Sequence, residues 1–176
     1  LRRNDRSTAM VWQDELGSRS ELNWEELHRL VSQLQQALRG IGIETGDHVA
    51  AWMPNRPETY ALMLATASLG AVFTSTSPDF GPQGVLDRFN QVRPKLLVAT
   101  EGYFYGGKWF SCLERLDEIE AGLPSLVETV LLPYGSELDN MPQNVRTLWS
   151  DFIGTYEPAR VEYTRVGFNH PWYVLF

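Results

Sequence analysis

Two stretches of the chain carry residues that could hold a ligand. In the first, Thr74, Ser75, Thr76 and Ser77 present four hydroxyls in succession, followed by the turn Ser77-Pro78-Asp79-Phe80-Gly81 and by Pro82. Proline suits the first helical turn, where its missing N–H is not needed, so a helix is expected to open at Pro82. Hydroxyls beside the free N–H groups of a helix start can hold an anionic or polar group. Asp79 is either a ligand contact or the turn-forming Asp that such a sequence favours, and the stretch is either a ligand loop or a tight connection. In the second stretch, Thr100 to Lys108 (TEGYFYGGK), residues Gly102, Gly106, Gly107 and Lys108 form either a phosphate nest or an ordinary glycine turn. No catalytic group is recognisable in either. The chain has no HxxxH, no cysteine cluster and no carboxylate–histidine set with ligand spacing, so no metal ligand is predicted. GxGxxG and GxxxxGKS are also missing.

The elements that must position these stretches follow from periodicity. Thr8–Gln13 and Ser18–Leu22 flank DELG, which predicts a β-hairpin over residues 1–22. Asn23 with Glu26 makes a capping box, and Trp24, Leu27, Val31, Leu34 and Leu38 recur on one helical face until Gly40 and Gly42. His28 lies off that stripe and is read as solvated. Asp47–Met53 is a short apolar run between turn signals, hence a buried strand. Asn55 and Glu58 repeat the cap spacing ahead of a helix that is apolar nearly all round, so burial on both sides is expected. The helix from Pro82 carries Val85, Phe89 and Val92 on one face and stops at Arg93-Pro94. Leu96–Ala99 is a further strand, Ser111 and Glu114 suggest another capped helix, and Val127–Leu132 and Tyr173–Phe176 are the remaining strands. Residues 23–132 thus read as a βα-repeat core, and 133–176 as a surface excursion, with one helical turn at Leu148–Ile153, leading to the start of the next strand. Strands alternating with helices give an α/β fold, a mostly parallel sheet with helices on both faces. In such sheets ligands bind beyond the carboxyl ends of the strands, where the Ser77 loop lies.

Composition narrows the partners. A chain of 176 residues, 43% hydrophobic and 21% charged, can bury a sizeable core. A net charge of −7 gives no electrostatic reason to expect nucleic acid, so an anionic ligand would need local basic groups and backbone amides. A single cysteine, Cys112, excludes an internal disulfide and is read as a small half-buried residue. No apolar run approaches the roughly 20 residues of a membrane span, and the expected location is the cytoplasm. The first residue is Leu1 rather than Met, which points to a chain cut upstream.

The order NWEELHRLVSQLQQALRGIGIETGDHVAAWMPNRPETYALMLATASLGAVFTSTSPDFG, Asn23 to Gly81, resembles the start of the adenylate-forming enzymes. Ser77–Phe89, Glu101–Lys108 and Phe168–Phe176 look most like the branch that activates short-chain acids, acetoacetate ahead of acetate and propionate. The resemblance implies an acid–CoA ligase that takes a carboxylic acid, ATP with Mg²⁺, and CoA. It also implies that residues 1–176 are an incomplete N-terminal part of the adenylation domain. The loop that cradles the ATP phosphates, the acyl pocket and the C-terminal domain would follow Phe176, so the fragment alone should be inactive. By the same resemblance, Ser77, Asp79, Gly81 and Gly102 lie on the CoA side of the cleft, with Lys108 pairing as a point charge with a CoA phosphate. Relatives often carry Arg where this chain has Phe104; the missing cation would cost a charge-assisted contact of about 1.5–3 kcal/mol, and the ring could stack on adenine instead. The alternative is a non-catalytic CoA- or nucleotide-binding α/β module. A flavodoxin-like fold ranks last, because Met53-Pro54-Asn55 has no glycine to build a phosphate loop.

Overall fold

The protein's computed structural model describes residues 3–134 and 146–176. Its centre is a six-stranded, all-parallel sheet in the order β10-β4-β3-β5-β8-β9. The strands are β3 (His48–Trp52), β4 (Val72–Thr76), β5 (Leu96–Thr100), β8 (Glu128–Leu132), β9 (Thr147–Leu148) and β10 (Tyr173–Val174). Ahead of it stands the expected antiparallel hairpin, β1 (Thr8–Gln13) with β2 (Arg19–Asn23). Asp14 shapes its turn by accepting from the Leu16 and Ser18 N–H groups at 2.9 and 2.8 Å.

Helices cover both faces, as the alternation predicts. Along β3, Val49 and Ala51 face one cluster with α1 (Trp24–Gly40) and α2 (Pro57–Ser68). Ala50 and Trp52 face the other, with Val85 and Phe89 of α3 (Pro82–Val92) and Leu116 and Ile119 of α4 (Leu113–Ala121). Period-two alternation on a strand buried on both sides is what makes β3 apolar throughout. The Asn23–Glu26 capping box forms in full, the side-chain and backbone bonds measuring 2.9 and 2.8 Å.

Several expectations are corrected. Asn55 does not cap α2: Arg56 is the extended residue there, Pro57 takes the first helical position, and no side-chain cap bond forms. By contrast α2 does pack against both the sheet and α1, as expected, burying Ala61, Leu62, Ala65, Thr66 and Ser68 and leaving Tyr60 46% exposed. The stretch Thr100–Lys108 is not a loop but part of a second hairpin, β6 (Gly102–Tyr105) with β7 (Lys108–Ser111), turned by Gly106 and Gly107 at φ 56° and 75°. Two consecutive left-handed glycines between paired strands make the tight turn of a hairpin. Because Ser111 ends β7, the N-cap of α4 falls on Cys112, which is fully buried rather than half-buried.

Of the 133–176 excursion, residues 135–145 lie outside the described part. Of the rest, β9 joins the sheet, α5 (Trp149–Gly154) buries Trp149 and Phe152, and residues 156–162 run as an extended strap over α1. Ser32 accepts from Ala159 N–H at 2.8 Å, Gln33 donates to Tyr156 O at 2.9 Å, and Gln36 donates to Glu157 O at 2.8 Å. Gln35 accepts from Glu162 N–H at 3.0 Å, while Val161 is buried between these bonds. The strap then delivers β10 to the free side of β4.

Candidate functional site

The sheet's connections place the cleft. From β3 the chain passes to α2 on one face, whereas β4 and β5 send it to α3 and α4 on the other. Loops therefore diverge around the carboxyl end of β3, the kind of switch point at which open parallel sheets bind ligands. A cleft of about 600 Å³ opens there. Pro54 and Asn55 after β3, Ser77 to Asp79 after β4, Tyr103 to Tyr105 of the second hairpin and Tyr134 after β8 line it, and the first hairpin closes it with Trp12 to Glu15.

Two of the five residues named from sequence meet in this cleft: Ser77 and Asp79, both exposed on its wall. Gly81 is the extended N-cap of α3 and does not line it. Gly102 is buried at the hairpin base, where a Cβ would come within 2.6 Å of Phe110 O and closer still to the Trp109 ring. Lys108 stands exposed beside the hairpin turn, paired in register with Tyr105, which does line the cleft. The turn and not the nest is therefore the form that Gly106-Gly107-Lys108 takes. Phe104 packs on Trp109 and Tyr134, with ring centroids 5.0 and 6.1 Å away.

Other residues frame the cleft without having been singled out in the sequence. The Arg56 guanidinium lies between the rings of Trp12 and Tyr134, 5.3 and 5.0 Å from their centroids, and pairs with Glu58 at 3.0 Å. Trp12 Nε1–H donates to Asn55 O at 2.7 Å, so the first hairpin is pinned to the start of α2. Buried Glu101 accepts from the Tyr134 N–H with both carboxylate oxygens, at 2.8 and 2.6 Å. Burial, reinforced by the nearby Asp14 carboxylate, pushes the Tyr134 phenol up. Burial also pushes the Cys112 thiol up to about 11, which makes it an unreactive packing group. A basic residue followed by Pro at a strand-to-helix turn, with aromatics on either side in sequence, was the only signal for Arg56.

A sequence profile of the AMP-binding enzyme family matches residues 1–164. The chain belongs to that family. This AMP-binding enzyme sequence is 44% identical to the acetoacetyl-coenzyme A synthetase of Rhizobium meliloti (strain 1021), across 100% of the chain and 27% of that enzyme. It is 38% identical to the acetoacetyl-CoA synthetase of Macaca fascicularis, across 98% of the chain and 27% of that enzyme. Among solved structures, the acetoacetyl-CoA synthetase from Streptomyces lividans superimposes with a TM-score of 0.88 at 36% identity, covering 96% of this chain and 25% of that one. The chain thus spans about a quarter of the length of the curated relatives it matches.

The lining of the cleft is acidic and aromatic. It offers the carboxylates of Asp14, Glu15 and Asp79 and no Lys or Arg, which disfavours a phosphate inside it. The rings of Trp12, Tyr103, Phe104 and Tyr134 suit a flat heterocycle. Among the described residues no group of three or more His, Cys, Asp or Glu is placed to hold a metal ion. No described helix is long and apolar enough to cross a membrane.

Proposed function

We propose that these residues are the incomplete N-terminal part of the adenylation domain of an acid–CoA ligase whose acid is acetoacetate. The observation that carries this is the 44% identity to a synthetase of that name over the whole chain. In this reading the acetoacetate carboxylate attacks the α-phosphorus of ATP, releasing pyrophosphate, and the CoA thiol then displaces AMP from the acyl-adenylate. Mg²⁺ accompanies ATP in the longer polypeptide. Ser77, Asp79 and Gly81 shape the place of the nucleotide end of CoA, and Gly102 sets the base of the hairpin beside it. Lys108, beside Tyr105 at the rim, meets a CoA phosphate outside the acidic lining. The partners are small molecules and the remainder of the longer polypeptide, with no nucleic acid and no membrane span, and the setting is cytoplasmic.

Acid-dependent pyrophosphate release tests this on two polypeptides, the 176 residues alone and the longer parent. The parent is expected to turn over with acetoacetate in preference to acetate, and the short chain not at all. Preference for acetate would overturn the choice of acid; turnover by the short chain would overturn the assignment of an incomplete domain.

A further inference from the structure

One side chain outside the cleft touches three of the segments that build it. Arg115, half-buried on α4, donates from Nη1 to the carbonyl oxygen of Pro78 at 3.2 Å, in the middle of the Ser77–Gly81 turn. Its Nη2 donates to the carbonyl of Ser111, where the second hairpin ends, at 3.2 Å. The guanidinium carbon Cζ lies over the Trp52 ring, at the end of β3, 5.3 Å from its centroid, and over that of Tyr103, in the hairpin's first strand, at 5.9 Å. Pro78 is buried while Ser77 and Asp79 on either side of it are exposed, so the Pro78 carbonyl is the inner anchor of that wall. Only a planar, fixed-charge group with divergent donors can bond two carbonyls and stack on two rings together.

We infer that Arg115 is the positioning residue of the cleft, holding the Ser77–Gly81 turn and the second hairpin in register while touching no ligand itself. Arg115 lies beneath the lining rather than in it, so its effect passes through Pro78 and Tyr103. As far as it concerns CoA, this inference rests on the ligase reading above; as a statement about the two loops it does not.

Two measurements on Arg115→Lys and Arg115→Met in the full-length parent separate those levels. Amide hydrogen exchange is read first, over residues 77–81 and 102–111 against the strands β3 and β5. Expected is exchange about tenfold faster in the two loops, with the strands unchanged, and Arg115→Lys giving only partial rescue because a single ammonium cannot serve both carbonyls. Unchanged loop exchange in both variants, or equal acceleration in loops and strands, would overturn the inference. Steady-state kinetics is read second, and on the ligase reading KM for CoA rises about tenfold while KM for ATP and the acid hold. Faster loop exchange with an unaltered KM for CoA would uphold the positioning role and reject CoA as the occupant of this cleft.

Discussion

The two ends of the same four strands are built differently. At the amino end of β3, β4, β5 and β8, backbone bonds run straight from one connection to the next. Gly46 N–H donates to Gly70 O at 2.9 Å, Val72 N–H to Asp47 O at 2.8 Å, and Val127 N–H to Lys95 O at 2.8 Å. The Lys95–Asp47 ion pair, 2.7 Å long, ties β5 to β3 at the same level. At the carboxyl end one backbone bond joins the β3 and β4 exits, Met53 N–H to Thr76 O at 3.1 Å, and the loops beyond it are braced by side chains: Arg56 between two rings, Glu101 on the Tyr134 amide, Arg115 under Pro78. Backbone stitching leaves no room for a ligand, whereas side-chain bracing spreads the loops and leaves a cleft. Close stitching and an open cleft thus occupy opposite ends of one sheet.

The largest expected effect that tests this division is at the amino end. Gly70 sits at φ +68°, and a Cβ there would approach Val166 Cγ1 to 2.9 Å. Gly70→Ala combines left-handed strain with overpacking and should lower unfolding free energy by about 3 kcal/mol, read as a lower urea midpoint at constant m. An unchanged midpoint would erase the distinction between the two ends. Smaller is a pH effect at the same end. His48 opens β3, and burial lowers its pKa below the usual value near 6.5, with Asp47 opposing. The unfolded chain then binds the proton more readily, so this contribution is present above about pH 6.5 and fades as pH falls below it. His48→Gln should flatten the decline in stability between pH 6.5 and 5, and a slope identical to the wild type's would assign it to other groups, such as His28, which burial also lowers. Smallest in stability is a change at the carboxyl end. Asp79→Ala, on an exposed wall, should shift unfolding by less than about 0.5 kcal/mol yet, on the proposed ligase reading, raise the parent's KM for CoA severalfold.

Legibility in the sequence divides along similar lines. The Asn23–Glu26 box and the α1 stripe were readable because both signals are local and nothing competes with them. The same spacing at Asn55–Glu58 misled, since the Asn55 carbonyl serves Trp12 and Pro57 starts the helix one residue later. At Ser111–Glu114 the strand claimed the serine first. The second hairpin could have been read: Gly106-Gly107 between Tyr-Phe-Tyr and Trp-Phe is a two-residue turn flanked by strand formers. Glu101 and Arg115 could not, because their roles depend on Tyr134 and Pro78, which only the closed sheet brings near, and Arg56 offered no more than its place before Pro57 at a strand-to-helix turn. The strap was equally hidden, its partners being side chains on a helix far back in the chain.

That strap also bears on the order of assembly. The bonds from Gln35 and Ser32 to Glu162 and Ala159 each span 127 residues of sequence. The capping box of α1 closes over three residues, and the β4–β3–β5–β8 centre forms from successive strand–helix units. Loop-closure entropy therefore weighs most on the segment made last. During synthesis, α1 leaves the ribosome with Ser32, Gln33, Gln35 and Gln36 lacking their strap partners, and β4 waits with one bare edge until Trp172 and Tyr173 arrive. A pause or cut before residue 156 would leave that edge open to other chains at the moment the rest of the sheet is complete.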